Sequence, residues 1–385
     1  MNIFFNSFND NNLNACLSGR RFCVVYKLTG LRDAAQRIAD DICAEQTVEF
    51  PVRLLPQGAI TNKIVGQIEK FEQAAEQEFI VTISFAEELA ASELTQFLNV
   101  VFGNISMKLG IQVISILPSA GIFQFLGGAQ FGVSGIRQLL GAPSRPLLFT
   151  AIKPMGLSAD NLAELTSNFA HGGIDIIKDD HGLTDQPFAR FEERIKKCTA
   201  AVREVNEKTG RRSIYVPNIT APFDQIFERA YFAKDNGAGA LMISPGLVGL
   251  DVMRKLSLEI GLPLIAHPAF IGGMAMNAQG LSCGVLYGTL MRLAGADATI
   301  FPNYGGRFPL TADDCKDIVT KSREPLGNIP PIFPSPAGGM ELKNIKSMLQ
   351  NYGNDILLLV GSGLFAQGNS LIDNCKKFLE ETEKN

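Results

Sequence analysis

From about residue 147 onward, short apolar runs alternate with longer helix-like stretches, and this alternation limits the possible folds more than any other feature of the chain. Strand-like runs occupy 147–152, 174–178, 213–217, 240–244, 263–267, 297–301, 331–334 and 356–361. Helical spacing of apolar residues fills the intervals, for example 158–170, 188–208, 223–236 and 284–293. Eight strand–helix units in about 240 residues is what a closed (β/α)8 barrel requires. An open, doubly wound sheet is the competing arrangement. It is the weaker one, because no GxGxxG follows the first strand and the unit count fits a closed barrel.

The residues before this region follow a different pattern. Strand-like runs at 22–27, 47–51, 80–84 and 113–117 mix with helix-like ones at 31–44 and 87–100, as in a small α+β domain of ferredoxin-like type. A Pro-rich hinge, Ala142-Pro143-Ser144-Arg145-Pro146, divides the chain into an expected N-terminal domain, 1–143, and a C-terminal barrel, 144–385. A length of 385 residues accommodates both. Hydrophobic residues make up 46% and charged residues 19%, which indicates a large core. A net charge of −4 argues against nucleic acid or an anionic membrane surface as partner. No apolar run approaches the ~20 residues of a membrane span. The N-terminus turns polar too soon for a signal peptide. Seven cysteines without a CxxC pair are expected to be free thiols packed in the core of a cytoplasmic protein.

If the second region is a barrel, polar residues at the strand C-termini mark the active site. The segment Gly172-Gly173-Ile174-Asp175-Ile176-Ile177-Lys178-Asp179-Asp180-His181 is the richest in them, since period-two alternation delivers Lys178 and Asp180 to one side of a strand. Lys153 ends the first barrel strand, Asn218 the third and His267 the fifth. Arg307 follows the sixth, Gly338 and Gly339 the seventh, and Gly361, Ser362 and Gly363 the eighth. Any one of these could simply satisfy loop backbone groups, and Lys178 with Asp180 could be a plain ion pair. So many loops carrying such residues in phase point to a site.

Several motifs resemble the large subunit of RuBisCO. They are Lys153-Pro154 with Gly156-Leu157-Ser158; Gly172 to Asp180 with Gln186-Pro187-Phe188; Gly103-Asn104; Arg292-Leu293-Ala294-Gly295-Ala296-Asp297; and the glycines of the last two loops. The resemblance spans most of the chain and keeps the motif order. It implies a small α+β domain on a barrel, and a homodimer in which Glu45 and Asn104 act on the neighbouring chain's barrel. It also implies that Lys178 is carbamylated and that Lys153 moves protons. The last two loops would bind one phosphate through backbone N–H groups, which glycine lets an anion approach.

The departures narrow the function. His181 stands where RuBisCO has a third acidic Mg²⁺ ligand, Met155 replaces a lysine, and Gly305-Gly306-Arg307 replaces a lysine-bearing loop. Pro268, Ile300 and Ala337 align with the set that holds the second phosphate, and none can form a charged or hydroxyl contact. The resemblance is therefore to RuBisCO-like proteins that do not fix CO₂, with a substrate carrying a single phosphate. The candidate metal ligands are carbamylated Lys178, Asp180 and His181. Mg²⁺ with His181 outside the shell is the expectation; a softer metal, or no metal, are the alternatives.

Within the resemblance, Lys-Asp-Asp-His-Gly-Leu is similar to a branch acting on 3-oxo-isoapionate 4-phosphate, a sugar acid of apionate breakdown. Its decarboxylation would leave an enediolate, and transcarboxylation with hydrolysis is the variant. A methionine-salvage enolase or isomerase acting on a methylthio-ketose phosphate is the alternative. Asn104 stands where the enolases place a lysine base, and the isomerases are expected to keep the acidic ligand that His181 replaces. A retired, non-catalytic scaffold is the third possibility, and it predicts scattered rather than concentrated losses. The apionate reading is the one carried forward.

Overall fold

The computed structural model describes residues 10–384 apart from 276, 277, 367 and 369. Two compact units emerge. One is the chain up to Leu126 together with Gly273–Leu286, and the other is Gly127–Gly272 with the chain from Tyr287 onward.

The first unit is built on a sheet of β1 (Arg21–Thr29), β2 (Gln67–Ala75), β3 (Glu78–Ala86), β4 (Ile111–Leu117) and, far along the chain, β10 (Gly280–Leu281), in the order β10-β4-β1-β3-β2. Phe22, Val24, Tyr26 and Leu28 alternate inward from β1, where the ring of Phe22 meets Phe85 at 5.6 Å and Phe97 at 5.1 Å. Two sequence expectations are corrected here. The segment 47–51 is not a strand: the N–H groups of Val48 and Glu49 turn back to the carbonyl of Ala44 and satisfy the free end of helix Arg32–Glu45. The helix-like run 87–100 is interrupted at Ala91 and Ser92, whose φ angles are +50° and +58°, giving a 3₁₀ turn Glu87–Ala90 and a helix Leu94–Phe102.

The second unit is the barrel. Its strands are β5 (Leu147–Ile152), β6 (Ile176–Asp179), β7 (Ile214–Val216), β8 (Leu241–Ile243), β9 (Leu264–Ala266), β11 (Ala298–Pro302), β12 (Phe333–Ala337) and β13 (Leu357–Leu359). They form one parallel sheet in the order β7-β6-β5-β13-β12-β11-β9-β8. The two outer strands meet just past the end of β7, where Met242 in the middle of β8 donates to Pro217 O at 2.9 Å and accepts from Ile219 N at 2.9 Å. Phe149, Ile176, Val216, Met242, Ile265, Ile300, Phe333 and Leu357 fill the interior.

The expected boundary at 143/144 moves to 126/127. Val133, Ile136 and Leu140 of the helix Gly132–Leu140 are buried in the barrel core, so that helix belongs to the barrel. The Asp297 carboxylate fixes its start by accepting from the N–H groups of Phe131 at 2.7 Å and Gly132 at 2.8 Å. Arg292 donates to the carbonyls of Pro330 and Glu324 at 2.8 and 2.6 Å, and to that of Ile329. The Arg292–Asp297 motif is thus a brace for the fold rather than part of its chemistry.

Candidate active site

The interior residues set the phase of the barrel mouth. Because Ile176, Val216, Met242 and Ile265 all point inward, the residues two further along do the same: Lys178, Asn218, Ser244 and His267. Asp180 follows Lys178 by one more step. Asp179, between them, points the other way. Its carboxylate receives Arg194 Nε at 3.1 Å, the Tyr215 hydroxyl at 2.5 Å and the Asn218 N–H at 3.0 Å, all away from solvent. This buried network anchors the tip of β6.

Lys178 is only 2% exposed, and its Nζ donates to Asp179 O at 3.0 Å. Burial pushes its amine down to about 8; Asp180 opposes that shift and the charge of Lys153 adds to it. Burial alone would raise the Asp180 carboxyl, but the His181 hydrogen bond and the charges of Lys153 and Lys178 outweigh it and hold the group well below the usual carboxylate range. Lys153 Nζ and His181 Nδ1 both approach Asp180 Oδ1, at 3.2 and 3.5 Å. The ring of His181 stacks on that of His267 with centroids 4.5 Å apart and an 8° tilt. Burial first, and then the charge of Lys178, pushes His267 down to about 2. It is therefore a neutral imidazole. Its Nδ1 accepts from Ala269 N at 3.2 Å, which leaves the proton on Nε2 as a donor. Asn218 donates to the carbonyls of His181 at 2.9 Å and Leu183 at 3.0 Å, so it shapes the His181 loop.

The structure thus brings together Lys153, Lys178, Asp180, His181 and His267. Arg307 lies exposed in the loop after β11, with its guanidinium 5.7 Å from the Phe308 ring and no link to the cluster among the described residues. Gly338 and Gly339 have φ of +97° and +68°, which favour glycine. A Cβ on Gly363 would sit 2.4 Å from Met340 O, so the loop after β13 can approach the loop after β12 only with glycine there. In the first unit, Asn104 Nδ2 donates to Glu45 Oε1 at 3.1 Å and Glu49 Oε1 at 3.2 Å.

Two groups escaped the sequence reading. Arg194 pairs with Asp179 from a helix fifteen residues away, and no local spacing signals that. Ser244 is 1% exposed and its Oγ has no hydrogen-bond partner among the described residues. It could have been found as the polar residue in phase at the end of the fourth barrel strand. An unpaired buried hydroxyl in a site mouth is positioned to bond a substrate oxygen. Ser244→Ala should therefore raise unfolding free energy by about 1 kcal/mol in denaturant melts, yet lower turnover several-fold. Loss of stability with unchanged turnover would make Ser244 structural.

Metal binding depends on Lys178. Among the described residues, no three His, Cys, Asp or Glu side chains converge to hold an ion. Asp180 and His181 offer two donors, and a hard cation needs more oxygens. The residues fit Mg²⁺ only if Lys178 contributes carbamate oxygens.

A barrel with a buried lysine and an aspartate at the tip of its second strand, and with glycine loops after its last two, defines the class. The chain belongs to the ribulose bisphosphate carboxylase large-chain family, whose catalytic domain matches residues 132–371. Its similarity lies with the RuBisCO-like members. Ribulose bisphosphate carboxylase-like protein 1 of Rhodopseudomonas palustris is 36% identical over 363 residues, covering 94% of this chain and 97% of that one. The 5-methylthioribulose-1-phosphate isomerase of Rhodospirillum rubrum is 32% identical over 361 residues, covering 93% and 95%. The crystal structure of a RuBisCO-like protein from Rhodopseudomonas palustris superposes with a TM-score of 0.84 at 35% identity, covering 94% of this chain and 98% of that one. No helix among the described residues is long and apolar enough to cross a membrane.

Proposed function

We propose that this protein moves a proton next to the carbonyl of a keto sugar carrying one phosphate, through an enediolate. The observation that carries this is Lys178: an almost fully buried amine with its pKa lowered to about 8, bonded to Asp179 O and within electrostatic reach of Asp180 and a neutral His267. Lys153, half-exposed and 3.2 Å from Asp180, is the proton carrier. His267 donates from Nε2 to the oxygen on which charge develops. With Lys178 carbamylated, its oxygens and Asp180 would hold Mg²⁺, with His181 beside the shell, and the ion would supply positive charge to offset a developing enediolate oxygen. The glycine loops after β12 and β13 receive the phosphate. Ile300 is buried in the apolar core and Ala337 has no polar group, which fits a substrate without a second phosphate.

The named relative moves the preferred substrate from the apionate acid to a methylthio-ketose phosphate, with isomerisation as the reaction. Decarboxylation of 3-oxo-isoapionate 4-phosphate is the second reading. It is favoured by His181, a side chain without a carboxylate where an acidic ligand is expected, because a β-keto acid brings its own negative charge to the site. The test is turnover of 5-methylthioribulose 1-phosphate and of 3-oxo-isoapionate 4-phosphate by the purified protein, with and without Mg²⁺ and bicarbonate. Isomerisation of the first supports the proposal; CO₂ release from the second alone transfers it to the second reading; inertness toward both overturns it. We further propose a homodimer whose Glu45–Asn104 pair completes the partner's site.

His181→Glu should tighten Mg²⁺ binding, since it adds a hard anionic oxygen beside Asp180. Calorimetric titration of both proteins checks this, and unchanged or weaker binding would place residue 181 outside the shell.

A further inference from the structure

The end of the barrel opposite the mouth holds a cavity of about 330 Å³, a volume in the range of small-ligand sites. It lies where β5, β6 and β7 begin: Arg145 precedes β5, Asp175 precedes β6, and Arg211 and Arg212 precede β7. Asp175 is fully engaged. Arg145 grips its carboxylate with two bonds of 2.7 and 2.6 Å, and Leu148 N donates to it at 2.8 Å. The charge of Glu383 also acts on Arg145.

Arg211 and Arg212 are different. Neither guanidinium has a hydrogen-bond or ion-pair partner among the described residues. Each lies over a glycine with positive φ. A Cβ on Gly173 would sit 2.8 Å from Arg211 Nη1, and one on Gly141 would sit 3.2 Å from Arg212 Cδ. The two glycines make room for the arginines along one rim. Three guanidiniums against the carboxylates of Asp175 and Glu383 leave this rim one charge positive, and the two guanidiniums without a partner repel one another. The guanidinium fork matches phosphate oxygens in pairs, which a lysine ammonium does not.

We propose that this cavity is a binding site for a small phosphate dianion, inorganic phosphate or the phosphate of a small metabolite, held by Arg211 and Arg212 and separate from the barrel mouth. The site stands independently of the reaction proposed above.

Equilibrium dialysis with labelled inorganic phosphate in 150 mM chloride tests it by counting sites per chain. The wild type should bind one equivalent more than R211A/R212A, and R211K/R212K should keep that equivalent at an affinity reduced about ten-fold. The mouth loops, if they bind phosphate as proposed, contribute one equivalent to every variant. Their failure lowers all counts alike and leaves the difference standing. Equal counts in wild type and R211A/R212A, including none in either, would overturn the proposal. Both arginines reach solvent, and far-ultraviolet dichroism of the variants confirms that the comparison is between folded proteins.

Discussion

Lys178→Met lowers turnover by roughly 10²–10³, the usual cost of removing a group that stabilises charge in the transition state. Methionine keeps most of the side-chain volume, so the barrel mouth should stay packed and the loss is chemical. The lysine matters in either of its two forms. As an ammonium it lies beside the forming oxyanion; as a carbamate it would complete a metal site with Asp180. Its pKa separates them. A free lysine titrates near 10.4, whereas burial brings Lys178 down to about 8. Carbamate formation needs the neutral amine: its lone pair bonds to the carbon of CO₂ and the nitrogen loses a proton. If the carbamate is the working form, activation at a fixed concentration of dissolved CO₂ should therefore rise with pH through about 8 and level off above it. If the ammonium is the working form, activity should fall through the same window. The charge of Lys178 is the second cause holding His267 down. In Lys178→Met the His267 ring should thus titrate at higher pH by NMR, although burial keeps it below an ordinary histidine. A folded Lys178→Met protein with near-native turnover would remove Lys178 from the chemistry.

Much of the barrel and half of the site were legible because both follow from period-two alternation. The run 147–152 coincides with β5, and the step from Ile176 to Lys178 to Asp180 places a cation and an anion at the mouth without any knowledge of the fold's closure. Legibility failed where partners lie far apart in sequence. Nothing around Gly280 signals that it pairs with Gln112 of β4. The strand β2 has the sequence QIEKFEQAA and is mostly solvent-facing, so no apolar alternation marks it. The Pro-rich segment 142–146 looked like a domain hinge, yet Arg145 and Ala142 are built into the base of the barrel. The middle aspartate of Lys178-Asp179-Asp180 hid its role for a similar reason. Its sequence context is shared with a functional pair, while its side chain serves the fold.

Asp179→Ala should destabilise the barrel by about 3–5 kcal/mol, because it leaves the guanidinium of Arg194 buried without its counter-charge. Arg194 and Asp179 are both fully buried. The carboxylate is also the acceptor for the Tyr215 hydroxyl and the Asn218 N–H, so the same change strands two further donors. Arg194→Met should cost a similar amount, by leaving the carboxylate unpaired. Replacing both with apolar residues, Asp179→Leu with Arg194→Met, removes the uncompensated charge altogether. It should cost much less than the sum of the two single changes, as replacements of buried ion pairs often do. Urea unfolding of the barrel, followed in the two singles and the double, measures the coupling. The three proteins should separate stability from function. Asn218 receives its position from Asp179 and gives the His181 loop its own, through bonds to the carbonyls of His181 and Leu183. The double variant should therefore regain stability without regaining turnover, because the tip of β6 has lost the bond that ties it to β7. If stability and turnover recover together, the ion pair is a packing element alone. If the singles unfold no more easily than the wild type, the network contributes nothing to the barrel.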